Sequence, residues 1–366
     1  MFSSLLTPLQ RVLHSGRPSH EPSMDELVKQ SIAIVEQRKK AAVPWVPDEP
    51  HDQPYYRWVD GGWQATKPGV DSSGAAGEPK PAAPGRLALY SWNIDFMLSY
   101  GDSRMLAAIR HLEELCSAQA SEIPIVIFFS ECLESDLKVI TSDSYVRESF
   151  HVTDLNRQYW QSGHYGTTTL VDKRLAIQAC FRIHYSKTRM ERDGLFVDLS
   201  LGTTQPQKPQ QKPLRLCNTH LESLALDPLF RPPQLALCAR HMHSPDVHAS
   251  ILAGDLNAIQ DFDKHLHSDN ELKDAYLEMG GSEDDAEAGH TWGQQAATAQ
   301  RERFGTCRMD KVLFCGKVTC QSFERFGVDV QIQNERERED IVRLGFDKPW
   351  ITDHLGVKAV FSVDAE

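Results

Sequence analysis

What this 366-residue sequence lacks narrows it first. No apolar run approaches the roughly 20 residues that cross a bilayer as a helix, so no membrane-spanning segment and no membrane partner are expected. No apolar stretch followed by small residues opens the chain, which argues against a secretory signal. The eight cysteines, at positions 116, 132, 180, 217, 238, 307, 315 and 320, include no CxxC pair, and several lie in apolar runs such as 214–218. That favours buried thiols in a reducing compartment over a zinc site or a disulfide framework, and an intracellular address is expected. A positive excess is missing too: 39 basic against 51 acidic residues leave a net charge of −12. Ten acidic and ten basic residues fall in the first 86 positions, so the negative excess belongs entirely to residues 87–366. This argues against a wide, sequence-blind grip on nucleic acid, because neutralising phosphates takes basic side chains. It suits a site that gathers carboxylates around a divalent cation, and a local basic groove remains compatible with an acidic total.

What is present reads as one large domain with an appendage. The first twenty residues hold Arg11, Arg17, several serines and no acid before Glu21. They read as an unstructured leader or as a mitochondrial transit peptide, and both readings stay open. Residues 23–40 carry a helical pattern, and 66–86, rich in Gly, Ala, Pro and Lys, read as a linker. The division is therefore an amino-terminal extension over 1–86 and a folded domain over 87–366. Strands are predicted at 87–92, 123–129, 167–171, 176–184, 195–199, 213–219, 250–253, 309–314 and 356–362, with helices over 103–116 and 233–243. So many strands with few helices predict two packed sheets covered by helices, a four-layer α/β sandwich. Residues 201–211 and 280–289 read as surface loops, and 335–340, alternating in charge, as a solvated face.

Polar residues border five of these apolar strands: Ser91-Trp92-Asn93-Ile94-Asp95, Ser130-Glu131, Asn218-Thr219-His220-Leu221-Glu222 and Gly254-Asp255-Leu256-Asn257 at their far ends, and Thr352-Asp353-His354 leading into the one at 356–362. A strand end delivers such a side chain to the rim of a sheet. Singly, each is as well explained by a turn. Together they supply carboxylates, amides and histidines: oxygen ligands for a hard cation, donors for phosphate oxygens and a base for water.

The ordered set SWN, Glu131 after its strand, NTHLES, GDLN, RMD and TDH resembles the endonuclease/exonuclease/phosphatase family over about residues 87–362. Within it, Trp92-Asn93-Ile94-Asp95, the NTHLES run, His290-Thr291-Trp292 and Arg308-Met309-Asp310-Lys311 are most similar to the 5′-tyrosyl-DNA phosphodiesterases. The resemblance implies the deoxyribonuclease I-like α/β/β/α sandwich and Mg²⁺, with Mn²⁺ as an alternative. Glu131 is then the metal ligand, with Asn93, Asp95 and Asp353 completing or supporting its shell. Asp255 is the water-activating residue beside Asn257, with a His354–Asp310 dyad as the rival base, and His220 and His354 are the phosphate-facing donors. Trp292 is read as a stacking surface or a core residue, Arg231 with Arg301, Arg303 and Arg308 as a basic track, and Glu222 and Ser223 as positioning or substrate-binding residues. The implied activity is hydrolysis of the phosphodiester between a topoisomerase tyrosine and a DNA 5′ end, in DNA double-strand break repair. It would be carried out by a monomer in nucleus and cytoplasm, or in mitochondria if residues 1–20 are a targeting peptide. The alternatives are another hydrolase of the same fold (an abasic-site endonuclease, an exonuclease or deadenylase, a phosphoinositide phosphatase) and a non-catalytic scaffold. Ser130, Leu256, Thr352 and Leu355 depart from the usual residues of the branch.

Overall fold

Residues 45–67, 85–201 and 212–364 are described by the computed structural model. The helix expected at 23–40, the leader 1–20, most of the linker and nearly all of the 201–211 loop lie outside them. Two mixed sheets form the centre. The larger runs β14 (Val318–Phe326), β15 (Gly356–Val363), β4 (Arg86–Asn93), β5 (Ile125–Cys132), β7 (Gly166–Asp172), β6 (Phe150–Val152), β2 (Tyr55–Val59), β3 (Gly62–Thr66). The smaller runs β1 (Pro50–Asp52), β8 (Ile177–His184), β9 (Asp193–Leu199), β10 (Leu214–Thr219), β11 (Ala249–Asp255), β13 (Asp310–Gly316), β12 (Lys273–Asp274).

Alternation along the strands sorts side chains into layers. From β4, Leu87 and Leu89 enter the layer between the sheets, beside Val126, Phe128, Val197, Leu216, Ile251 and Phe361. Ala88, Tyr90 and Trp92 point the other way, onto Met105, Ala108, Ile109 and Leu112 of the helix Gly101–Ala118. Phe196, Cys217, Leu252 and Leu313 leave the smaller sheet's outer face for Leu235, Cys238, Ala239 and Met242 of the helix Arg231–Met242. Helix, sheet, sheet, helix is the predicted four-layer sandwich. Seven of the eight free cysteines are buried in it.

The folded unit begins earlier than residue 87. His51 of β1 pairs with Arg182, and β2–β3 form a hairpin that joins the larger sheet through Tyr56 and Val152. Its turn was legible: Asp60 and Gly61 both have positive φ, 52° and 80°, the Asp-Gly pairing of a two-residue hairpin loop. The extension thus contributes edge strands to both sheets.

Each sheet has one parallel pair near its middle, β4 with β5 and β10 with β11. Parallel neighbours end on the same side, so Asn93 pairs with Ser130 one residue before Glu131, and Asn218 with Ala253 two residues before Asp255. All four strand ends open onto one rim.

Candidate active site

At that rim Asp255 is fully buried and receives donors from three loops. Asn93 Nδ2 donates to its Oδ2 at 3.0 Å, and the backbone N–H of Asn257 to its Oδ1 at 2.8 Å. His220 Nε2 lies 3.3 Å and His354 Nε2 3.7 Å from Oδ2. Burial alone would raise this carboxyl, but the contacts with His354, His220 and the Asn257 N–H outweigh it and hold it well below the usual range. Asp255 is therefore ionised at any working pH.

The two histidines reach opposite states. Arg192 Nη1 lies 2.7 Å from His220 Nδ1, and because a guanidinium only donates, Nδ1 must accept and the proton sits on Nε2. Burial and the charge of Arg192 bring this imidazole down to about 4, so it is neutral, with its Nε2–H aimed between Asp255 and Glu131 Oε1 at 3.7 Å. His354 places Nδ1 2.8 Å from Asp310 Oδ2. Against the penalty of burial, Asp310, Asp255 and Asp353 raise it well above its ordinary value, so it is a cation.

Beside this network lies an under-compensated acid group. Burial and the charge of Asp95 push Glu131 up to about 7, and burial and Asp353 push Asp95 up to about 6. Glu131 Oε2 accepts the Phe96 N–H at 3.1 Å and Asp95 Oδ1 the Met97 N–H at 3.0 Å. Asp353 Oδ2 accepts Trp292 Nε1–H at 2.7 Å. Glu131, Asp95 and Asn257 sit at φ of 60°, 53° and 49°, left-handed backbone that costs energy outside glycine and clusters at functional sites.

These residues fit a hard divalent cation. Carboxyl oxygens that raise one another's affinity for a proton present the donor set such an ion takes up. Glu131, His220 and Asp255 also offer ligand atoms within 4.8 Å of one another. His220 is excluded from that trio as a ligand because its Nε2 carries the proton. Glu131, Asp95 and Asp353 supply oxygen donors only, and their charges act on one another, Asp95 on Glu131 and Asp353 on Asp95.

The endonuclease/exonuclease/phosphatase family model matches residues 90–354. The chain belongs to this family. As a member of the endonuclease/exonuclease/phosphatase family it is a metal-dependent phosphodiesterase. No curated protein sequence matches it. Among solved structures it is similar to a humanised zebrafish (D. rerio) TDP2 carrying 14 mutations, at 18% identity and a TM-score of 0.55 over 76% of this chain and 99% of that one. Truncated Caenorhabditis elegans TDP2 aligns at 22% identity and 0.54 over 77% and 99%. Zebrafish TDP2 complexed with a single-strand DNA product aligns at 17% and 0.55 over 75% and 98%. At these identities the likeness concerns the fold, which the family shares.

The rim gathers Asn93, Asp95, Glu131, His220, Asp255, Asn257, Asp310, Asp353 and His354, while several expectations change. Trp292 is 3% exposed and packs with Ala296 and Met309, its ring nitrogen spent on Asp353, so it has no open face for stacking. Arg231, also buried, grips Asp263 at 2.8 and 2.7 Å and the carbonyl oxygens of Glu222 and Leu224, leaving nothing for substrate. Two more members of the basic track are neutralised: Arg308 pairs with Asp274 and Glu283, and Arg301 with Asp347. Glu222 does not face a ligand either; it accepts the Arg189 and Met190 N–H groups at 3.0 and 2.9 Å and so shapes the turn leading to Arg192. Ser223, beside it, is buried. Both ends of the Asn93 amide are used, the Oδ1 by Asp95 N–H at 2.9 Å, which makes it a brace between acids rather than a direct ligand.

Two departures have structural reasons. Leu256 is buried in the outer core, and Thr352 Oγ1 donates to Asn93 O at 2.8 Å, locking the TDH turn to β4. Arg192 and Tyr165 were not singled out. Arg192 stacks over Tyr165 at 5.1 Å, and Tyr165 stacks on Phe96 at 4.2 Å. A lone arginine before a strand carries no signal that separates it from a solvated one.

Proposed function

We propose that this protein hydrolyses the phosphodiester joining a tyrosine side chain to the 5′ end of DNA, leaving a 5′-phosphate and so clearing breaks capped by trapped topoisomerases. The observation that carries the reading is Asp255 held ionised between a neutral His220 and a cationic His354, next to the Glu131, Asp95 and Asp353 acids. The similarity to TDP2 supports the choice within the family, as does the DNA product bound to the zebrafish protein.

Glu131, with Asp95 and Asp353, would hold Mg²⁺, whose contribution when bound is to draw charge off a phosphate oxygen. Asp255 accepts a hydrogen bond from the attacking water and turns its lone pair toward phosphorus. Asn257 Nδ2 is spent on Leu221 O at 3.0 Å, which leaves its buried Oδ1 without a partner and able to accept a hydrogen bond from the water's other O–H. The His220 Nε2–H and the imidazolium of His354 donate to the phosphate oxygens as negative charge grows on them. A tyrosine phenolate, with a conjugate-acid pKa near about 10, leaves more readily than a sugar alkoxide and asks less of a general acid. His354, protonated by its acid neighbours, is not free to take the water's proton, so the Asp255 carboxylate accepts it as the P–O bond to water forms and the P–O bond to tyrosine breaks, and then passes it to solvent.

A panel of 5′-phosphotyrosyl oligonucleotide, abasic duplex, poly(A) and inositol phospholipid, assayed at equal concentration with Mg²⁺, tests the substrate. Highest kcat/KM on the tyrosyl substrate is expected. A higher value on any other member would replace the proposed substrate while leaving the chemistry in place.

A further inference from the structure

Arg104, in the first turn of the helix Gly101–Ala118, is completely buried, and all five of its N–H donors go to main-chain carbonyl oxygens. Nε donates to Ser99 at 2.9 Å, and Nη2 to Asp95 at 2.9 Å and Leu98 at 2.7 Å. Nη1 donates to Ile94 and, at 2.8 Å, to Ile351. No carboxylate oxygen is hydrogen-bonded to the guanidinium among the described residues, although the charges of Asp95, Asp136, Asp353 and Glu131 all favour its cationic form. Burial works against that charge, and a buried cation that forgoes a direct carboxylate partner needs another reason to be there.

The carbonyl groups it holds supply the reason. Four belong to the 94–99 turn, which carries Asp95 in its left-handed conformation. The fifth belongs to Ile351, two residues before Asp353. One rigid planar fork therefore spans the two loops that bring separate acids to the same site. Thr352 to Asn93 and Trp92 Nε1 to His354 O at 3.1 Å tie the same loops nearby, but each is a single bond without charge.

We propose that Arg104 is the positioning residue that sets the cation affinity of this site, by fixing the spacing of the Asp95 and Asp353 carboxylates from behind. The inference rests on the metal reading of the rim and not on the identity of the substrate. It makes a claim of sign. Were Arg104 only a nearby positive charge, removing it would tighten cation binding, because like charges repel. Were it only a core residue, thermal stability would fall and affinity would stay. As a positioning residue, its loss weakens binding by about 10–100-fold, the range for groups that orient ligands from behind.

The test is Mn²⁺ titration followed by electron paramagnetic resonance, on the full chain without substrate, for wild type, Arg104→Met and Arg104→Lys. Lysine keeps the charge and most of the stem but offers three donors from one point, so Arg104→Lys is expected to stay folded and still lose affinity by about 10-fold or more. At saturating metal, its kcat should return close to wild type while the metal concentration for half-maximal rate rises in step with Kd. Unchanged or tighter Mn²⁺ binding in folded Arg104→Lys would overturn the proposal, as would a lost kcat with Kd intact. Wild-type protein that binds no Mn²⁺ would overturn it together with the metal reading, whereas failure on the tyrosyl substrate alone would leave it standing.

Discussion

At the scale of single residues, the acids, amides and histidines of the rim were legible because each sits at one end of an apolar strand, and a strand end fixes where a side chain emerges. Their partners were not. Nothing in the chain around Arg192 or Arg104 announces that one selects the tautomer of His220 and the other spans two loops. Trp292 stayed open between a stacking surface and a core residue for a related reason, since an indole can stack or donate and only its neighbours decide; they make it core. Glu131→Gln and Asp255→Asn are each expected to lower kcat by roughly 10²–10³ or more, with circular dichroism unchanged. Wild-type rates in both folded variants would contradict a metal-holding Glu131 and a water-orienting Asp255.

A second residue-scale expectation concerns acid sensitivity away from the rim. Burial, reinforced by the charge of Arg57, brings His151 down to about 3 from an ordinary 6.5, and burial brings His184 to about 4. As pH falls through 6.5 the unfolded chain takes up protons that the folded chain refuses until those lower values. Stability present above pH 6.5 is thus lost progressively toward pH 4. Urea midpoints measured over that range should fall less steeply for the His151→Gln/His184→Gln double variant than for wild type. Equal slopes would count against it.

At the scale of elements, the buried strands and both sheet-covering helices predicted from periodicity appear near their expected places. The elements that were missed are marginal ones. β14 alternates buried and exposed residues at a sheet edge, and its Gln321, Ser322 and Glu324 disguise it as loop. The join between β10 and β11 rests on Gly254, whose φ is 149° and where an added Cβ would stand 1.7 Å from the Thr219 carbonyl oxygen. Backbone cannot yield as a flexible side chain can, so Gly254→Ala should push apart the strands that carry His220 and Asp255. A lower melting temperature together with lost turnover is expected. Retention of both would show that the close approach is unimportant.

At the scale of the whole molecule, the site exists only when both sheets are assembled, since β4, β5 and β15 lead to it from one and β10, β11 and β13 from the other. Composition and alternation carried this architecture, but the domain start was misplaced because the Tyr55–Thr66 hairpin was passed over. Tyr55 and Tyr56 are buried in it. Losing large apolar groups costs roughly 1.5–3 kcal/mol each, so a chain lacking residues 1–84 should melt on the order of 10 °C below one lacking 1–44. Equal melting temperatures would restore the boundary at residue 87.

The central claim is that these distant residues hydrolyse a phosphodiester with the help of one bound cation, and single-turnover cleavage of a 5′-phosphotyrosyl oligonucleotide tests it most directly. With Mg²⁺, wild-type protein is expected to release free tyrosine and a 5′-phosphate. Chelator should abolish the reaction, and Glu131→Gln should slow it by roughly 10²-fold or more. Undiminished cleavage in chelator, or by Glu131→Gln, would contradict the account.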